Sequence, residues 1–223
     1  MLLLAHRGYH ASVPENTMAA FAAALAIGAD GIETDVRLSA DGEAVIVHDR
    51  VTPRQRAVAE LTRREIEHDV GHPVPLLAEV LDAFPGMLWN VEIKSVEALP
   101  VTLAVLERYA GKRRLFITSF RHDVVAAIAQ RLPVDCGLLL AHRPLDVGAL
   151  IAGCAAWPGI RAMVWDYNVV DETVLRTVTA KGWGNYVYGA VTHAEHQHCA
   201  QLGLAGLITD YPLHVLNRAT SRI

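Results

Sequence analysis

The chain has 223 residues, enough for one large hydrophobic core. Apolar residues make up 52% and charged residues 20%, which excludes a disordered chain, and a formal charge of −4 gives no general drive toward nucleic acid or an anionic membrane. Every long apolar stretch is cut by charge, Pro or Gly short of a membrane span, so no stable membrane anchor is expected. The apolar run before Ala5-His6-Arg7 is too short for a signal-peptide core. Cys136, Cys154 and Cys199 are odd in number, far apart and without CxxC spacing, which points to a reducing cytoplasm rather than a disulfide framework.

Short β-rich runs alternate with longer Ala/Leu-rich helical patterns. Strands are predicted at 2–6, 31–36, 88–94, 115–119, 136–141, 162–165, 185–188 and 206–209. Helices are predicted at 17–27, 77–83, 96–109, 123–131, 146–154, 172–181, 194–202 and 213–218. Asn16 reads as the cap of the first helix and Gly28 as its stop. After a further extended run that ends at His48-Asp49, a short cap segment of about 50–74 includes an Arg-rich stretch, 54–64, with alternating charge. Eight strands, each followed by a helix, predict a single-domain (β/α)8 TIM barrel over 1–223. An open doubly wound sheet is the second reading.

In such a barrel, chemistry sits at the C-terminal strand ends. Those ends carry His6-Arg7, Glu33-x-Asp35 and Glu92-x-Lys94, and the extended run ends in His48-Asp49. Residues two apart on a strand share a face, so Glu33 pairs with Asp35 and Glu92 with Lys94. Three converging carboxylates cannot all ionise in a partly dry site without added positive charge. A hard divalent cation, Mg2+ or Ca2+, meets that need better than Zn2+, which favours His and Cys. Arg7 and Lys94 beside it suit an anionic phosphate. His6 and His48 suit acid–base work near neutral pH. Together these residues point to metal-assisted phosphoryl transfer.

These residues lie within AHRGYHASVPENTMAAF (5–21), GADGIETDVRLSADGEAVIVHD (28–49), PLLAEVL (75–81), NVEIKS (90–95), TSF (118–120) and GLAGLITDYP (203–212). In these motifs, ordered along nearly the whole chain, the sequence resembles the glycerophosphodiester phosphodiesterase family. The resemblance implies a TIM barrel that hydrolyses glycerophosphodiesters to an alcohol and sn-glycerol 3-phosphate with a divalent metal. It implies His6 and His48 as the acid–base pair, Glu33, Asp35 and Glu92 as metal ligands, and Arg7 and Lys94 as phosphate contacts. The attacking group, water or the glycerol 2-hydroxyl, stays open, as does which histidine is acid and which base.

The chain departs from the family pattern in two places. The segment after His48-Asp49 is short, with Arg54 or Arg56 as substitutes for the arginine usual there. Near the seventh strand, YVYGAVTHAE replaces the family's Trp-Thr-Val-Asn, leaving Tyr188 as a wall against the glycerol moiety. Other residues read as structural. His193, His196 and His198 read as a solvated helix face, and His10, His68, His72, His122, His142 and His214 as surface or loop residues. Gly8 reads as a close backbone approach at the site, and Asp210 as the cap of the last helix. A lipid-directed phosphodiesterase of phospholipase C or sphingomyelinase D type, and a non-catalytic phosphodiester-binding barrel, are the competing readings. No linear segment pairs exposed aromatic with basic residues to reach lipid, so a soluble deacylated substrate is expected. A homodimer is the base-rate expectation for assembly.

Overall fold

The structure, a computed structural model, describes residues 1–216. In chain order its elements are β1 (Leu2–His6), α1 (Met18–Ala26), β2 (Gly31–Leu38), β3 (Ala44–Ile46), α2 (Arg63–Val70), α3 (Leu77–Ala83), β4 (Leu88–Ile93) and α4 (Leu99–Tyr109). They continue with β5 (Arg114–Ser119), α5 (His122–Arg131), β6 (Asp135–Leu140), α6 (Val147–Gly153), β7 (Ile160–Asp166), α7 (Glu172–Thr179), β8 (Gly184–Tyr188), α8 (His193–Cys199), β9 (Gly206–Thr209) and α9 (Leu213–Leu216). Eight of the strands pair in parallel in the cyclic order β1, β2, β4, β5, β6, β7, β8, β9 and back to β1. Closure through both the β1–β2 and β1–β9 ladders excludes the open sheet. β3 stands outside the ring as an antiparallel partner of β2, with Val36 opposite Ile46.

Element ends differ from the predicted ones where capping chemistry decides. Thr17, not Asn16, caps α1, its Oγ1 accepting from Ala20 N at 3.2 Å. Asn16 has φ 56 and its side chain turns inward. The predicted helix 96–109 begins only at Leu99, where Pro100 fits the first turn. Of the predicted helix 213–218, positions 217 and 218 lie outside the described residues.

Residue parity divides the barrel into layers. Leu4, Leu88, Phe116 and Ile208 point into the lumen and form a plug with Tyr186, whose ring stacks on Phe116 at 4.7 Å. Two residues further along the same strands come His6, Asn90, Thr118, Asp210 and Tyr188. Each therefore points to the same side as the plug residue before it. The plug leaves no room at Gly206, where a Cβ would lie 2.5 Å from the Tyr186 ring. Gly8 has φ 80, and a Cβ there would meet the Ala20 carbonyl carbon at 2.7 Å. Its close approach is therefore to α1, not to the site.

The segment after β3 packs as a small subassembly on the barrel rim. Val58, Leu61, Ile66 and Val74 form a small core with Val45 of β3. Thr62 and Glu65 make a capping box at the start of α2. The buried Asp69 carboxylate accepts from Thr52 Oγ1 at 2.8 Å and from Arg56 Nε and Nη2 at 2.9 and 2.7 Å. Arg63 reaches Glu79 on α3 through two 2.8 Å bonds. The alternating charges of this stretch thus fasten the segment down. Among the described residues no helix is long and apolar enough to cross a membrane.

Gly206→Ala should destabilise the protein by about 1–3 kcal/mol, because the Tyr186 ring cannot yield without breaking its stack on Phe116. Urea unfolding measures this, and a loss well under 1 kcal/mol would show that the plug is looser than the contacts imply.

Candidate active site

β2 and β4 build the centre. Their register sets Glu33 beside Asn90 and Asp35 beside Glu92, while β1 sets His6 beside Glu33. Glu33, Asp35 and Glu92 are 3%, 0% and 8% exposed, and one oxygen of each lies within 4.8 Å of the others. At an effective dielectric of about 20, two unit charges about 5 Å apart repel by about 3 kcal/mol. Two fixed cations offset part of this. Lys94 Nζ lies 2.8 Å from Glu92 Oε1 and 3.3 Å from Asp35 Oδ1, and Arg7 Nε lies 3.3 Å from Asp35 Oδ2.

The balance differs among the three carboxylates. Burial pushes Asp35 up, but Lys94 and Arg7 outweigh it and hold its carboxyl below the usual range. Burial and the neighbouring Asp35 and Glu92 push Glu33 well above it. Glu92 is raised by burial, which Lys94 only partly offsets. Lys94 stays charged although burial works against it, because Glu92 and Asp35 face it. The cluster is short of positive charge, and the buried Asp35 Oδ1 has an ion-pair contact with Lys94 but makes no hydrogen bond. An all-oxygen donor set with that deficit fits a hard divalent cation.

The polypeptide is bent to make this centre. Arg7 sits at φ 54, a left-handed conformation that costs a side-chain-bearing residue about 1 kcal/mol or more. Three contacts hold it there: its N–H donates to Glu33 Oε2 at 3.2 Å, Nη1 donates to both Glu15 oxygens at 2.8 and 3.0 Å, and Nε faces Asp35. Asn16, at φ 56, donates from Nδ2 to Asp35 Oδ2 at 2.8 Å and accepts from Thr34 Oγ1 at 2.8 Å.

The two histidines flank the carboxylates, each turned by an aspartate. His6 Nδ1 lies 2.7 Å from Asp210 Oδ1, while its Nε2 lies 3.7 Å from Glu33 Oε2. Burial opposes ionisation of Asp210, but hydrogen bonds from His10 and His6 win and hold its carboxyl far below the usual range. An ionised Asp210 only accepts, so His6 Nδ1 must donate and Nε2 is left toward the centre. His48 Nδ1 lies 2.9 Å from the adjacent Asp49 Oδ1. His10, in the loop after β1 as expected of a surface or loop residue, also reaches Asp210 Oδ1 at 3.0 Å, and that bond raises its own basicity.

All eight residues expected at the site reach this mouth. Tyr188, the most distant in sequence, lines a cavity of about 220 Å³ together with His6, His48, Glu33, Glu92, Arg7 and Lys94. Its ring meets the exposed Phe120 edge-on at 6.1 Å. Asn90, Phe120, Asn16, His10 and Asp210 were missed by the sequence reading. For Asn90, Phe120 and Asp210 the signal was parity, since each lies an even number of residues beyond a plug residue. Asp210 caps no helix; its carboxylate belongs to His6 and His10. The α8 histidines also split. His196 is 1% exposed, with Nδ1 on Thr192 O and Nε2 on Thr209 Oγ1, both at 2.7 Å, because it shares the inward helix face with Cys199.

Comparison with known proteins matches this arrangement. The model of the glycerophosphoryl diester phosphodiesterase family covers residues 6–214. A glycerophosphodiester phosphodiesterase of Caldanaerobacter subterraneus subsp. tengcongensis is 29% identical over 97% of this chain and 96% of its own length. The crystal structure of the glycerophosphodiester phosphodiesterase of Thermotoga maritima superposes with a TM-score of 0.83 at 26% identity, over 99% of this chain and 98% of that one. An Oleispira antarctica phosphodiesterase, solved with the product sn-glycerol-3-phosphate, shares the fold at a TM-score of 0.84 and 21% identity, over 99% of this chain and 97% of that one. With the family model spanning the barrel from His6 to α9, the chain belongs to the glycerophosphoryl diester phosphodiesterase family.

Proposed function

We propose that the protein hydrolyses glycerophosphodiesters to an alcohol and sn-glycerol 3-phosphate, with His6 and His48 as the acid–base pair and one divalent cation, Mg2+ or Ca2+. The observation that carries this reading is the buried Glu33–Asp35–Glu92 cluster, short of positive charge, flanked by two aspartate-oriented histidines at one barrel mouth. The names of the relatives and the product held by the Oleispira protein support the choice of substrate.

Glu33, Asp35 and Glu92 would hold the cation, which when bound supplies charge neutralisation and Lewis acidity at a phosphate oxygen. Lys94 and Arg7, already charged beside the cluster, attract the phosphodiester anion and oppose the charge that grows on it in the transition state. One imidazole accepts the proton of the attacking hydroxyl at Nε2 as the new P–O bond forms. The other donates a proton to the alkoxide as the old P–O bond breaks. Asp210 holds the His6 ring with Nε2 toward Glu33, and Asp49 contacts Nδ1 of His48. Tyr188 and Phe120 wall the cavity beside the phosphate. The attacking group is water or the glycerol 2-hydroxyl, which phosphorus NMR separates by the presence of a cyclic phosphate.

Purified protein should release glycerol 3-phosphate from glycerophosphodiesters in Mg2+ or Ca2+ and lose that activity in EDTA. His6→Ala or His48→Ala should lower kcat about 10²- to 10⁴-fold, and near-normal turnover in either would remove that histidine from the mechanism. Asp210→Asn keeps the shape but not the fixed His6 tautomer, and should lower kcat at least about tenfold with KM little changed. A cation present at about 100 times its Kd should raise unfolding stability by about 2.7 kcal/mol, an effect lost in Glu92→Gln. An equal rise in that variant would place the ion elsewhere.

A further inference from the structure

Asp210 carries two histidines on one oxygen. His6 Nδ1 lies 2.7 Å from Oδ1, and His10 Nε2 lies 3.0 Å from the same atom. Among the described residues these are the only hydrogen-bond partners of the Asp210 side chain, which is 42% exposed. A carboxylate that open to water, held by a single bond, turns about its side-chain torsions and leaves its partner for solvent. A second donor on the same oxygen removes that freedom.

His10 is placed to be that donor. It follows the left-handed Arg7 in the loop between β1 and α1. The loop is tied on both sides of it: Tyr9 N donates to Ala20 O at 2.9 Å, and Asn16 N donates to Arg7 O at 2.9 Å. Asp210, held far below the usual carboxylate range, is ionised and only accepts, so His10 Nε2 carries the shared proton. The bond to Asp210 outweighs burial and raises the basicity of His10, while Glu15 adds to that effect and Arg7 opposes it. His10 itself stands outside the 220 Å³ cavity that His6 lines. It reaches the reacting atoms only through Asp210.

We infer that His10 is a positioning residue for the reaction: by sharing Oδ1 of Asp210 with His6, it fixes the carboxylate that keeps His6 Nε2 toward Glu33. The inference rests on the phosphodiesterase reading and adds a third member behind His6. The order is His10 to Asp210 to His6, and only the last imidazole meets the phosphodiester. His10 makes no bond to substrate and gives up no proton in the reaction. Without it the His6–Asp210 bond survives in only part of the population, so turnover falls. Substrate attraction is kept, because Arg7 is held by Glu15 and Asp35 and Lys94 by Glu92 and Asp35.

The test uses the full chain in Mg2+ or Ca2+ with glycerophosphocholine, glycerophosphoethanolamine and glycerophosphoglycerol. His10→Ala should lower kcat about three- to tenfold with KM little changed, part of the value of one charge-assisted hydrogen bond. His10→Gln, whose Nε2 replaces the lost donor, should restore kcat to within about twofold of the unaltered protein. In an Asp210→Ala background, His10→Ala should change kcat less than about twofold, because the group it acts through is already gone. Proton NMR gives a reading without turnover. The His6 Nδ1 proton, shifted downfield by its bond to Asp210, should move upfield or broaden in His10→Ala and return in His10→Gln. Full additivity in the double variant, no rescue by glutamine, or an unaltered kcat and His6 resonance in His10→Ala would overturn the inference while leaving the phosphodiesterase reading intact. No release from any of the three diesters by the folded, cation-loaded protein would overturn that reading and this inference with it.

Discussion

Negative charge packed into a closed space governs this molecule. Three carboxylates within 4.8 Å, each on a residue less than a tenth exposed, must be matched by positive charge or neutralised by protons. Lys94 follows directly after β4, which carries Glu92, and Arg7 directly after β1, which pairs with β2, so the cations come from the strand ends beside the carboxylates. The strained Arg7 backbone and the inward Asn16 side chain belong to the same constraint. Both are shaped around Asp35, the carboxylate held lowest of the three. What remains unmatched is left at Glu33, and that remainder is what a divalent cation would complete.

Barrel closure joins the second layer of the site. Asp210 stands 204 residues from His6 in sequence, yet β9 runs beside β1, and the two side chains meet at 2.7 Å. Behind it, His196 on α8 bonds Thr209, and Thr209 Oγ1 accepts from Tyr211 N at 2.9 Å. The strand end that carries Asp210 is therefore gripped on both sides. His196, its basicity lowered by burial, works here as a structural polar group with Thr192 O and Thr209 Oγ1 as partners. The tautomer of His6 thus depends on contacts from both ends of the chain.

The segment after β3 forms part of the barrel rim next to His48. It packs Val58, Leu61, Ile66 and Val74 against Val45 of β3 and is fastened by Asp69 and Arg63. It lines the space beyond His48 with Val51, Thr52, Val58, Val70, His72 and Val74. The plug below the site is independent of it. Changes in the segment therefore alter that space while leaving the carboxylate centre supported by β1, β2 and β4.

The fold and the centre were legible in the sequence because both are local or periodic. Alternating β and helical patterns specify a barrel, and Glu33-x-Asp35 and Glu92-x-Lys94 declare a shared face by their spacing alone. Histidine at a strand end is likewise a one-dimensional signal. Asn16 was misread because its type suits a helix cap as well as a carboxylate partner, and only the path of the turn chooses between them. Asp210 was misread as a helix cap, and the partner of the loop residue His10 was not foreseen, because their bond is made by the β1–β9 contact, which no local window contains. The inward turn of His196 required knowing which face of α8 packs on the barrel. The sequence by itself determined the strands, their parity and the chemical types at their ends. Tertiary structure alone decided which of those ends meet, which polar groups are left without partners, and where a second cavity opens, since these follow from closing a ring of strands rather than from the order of residues along one.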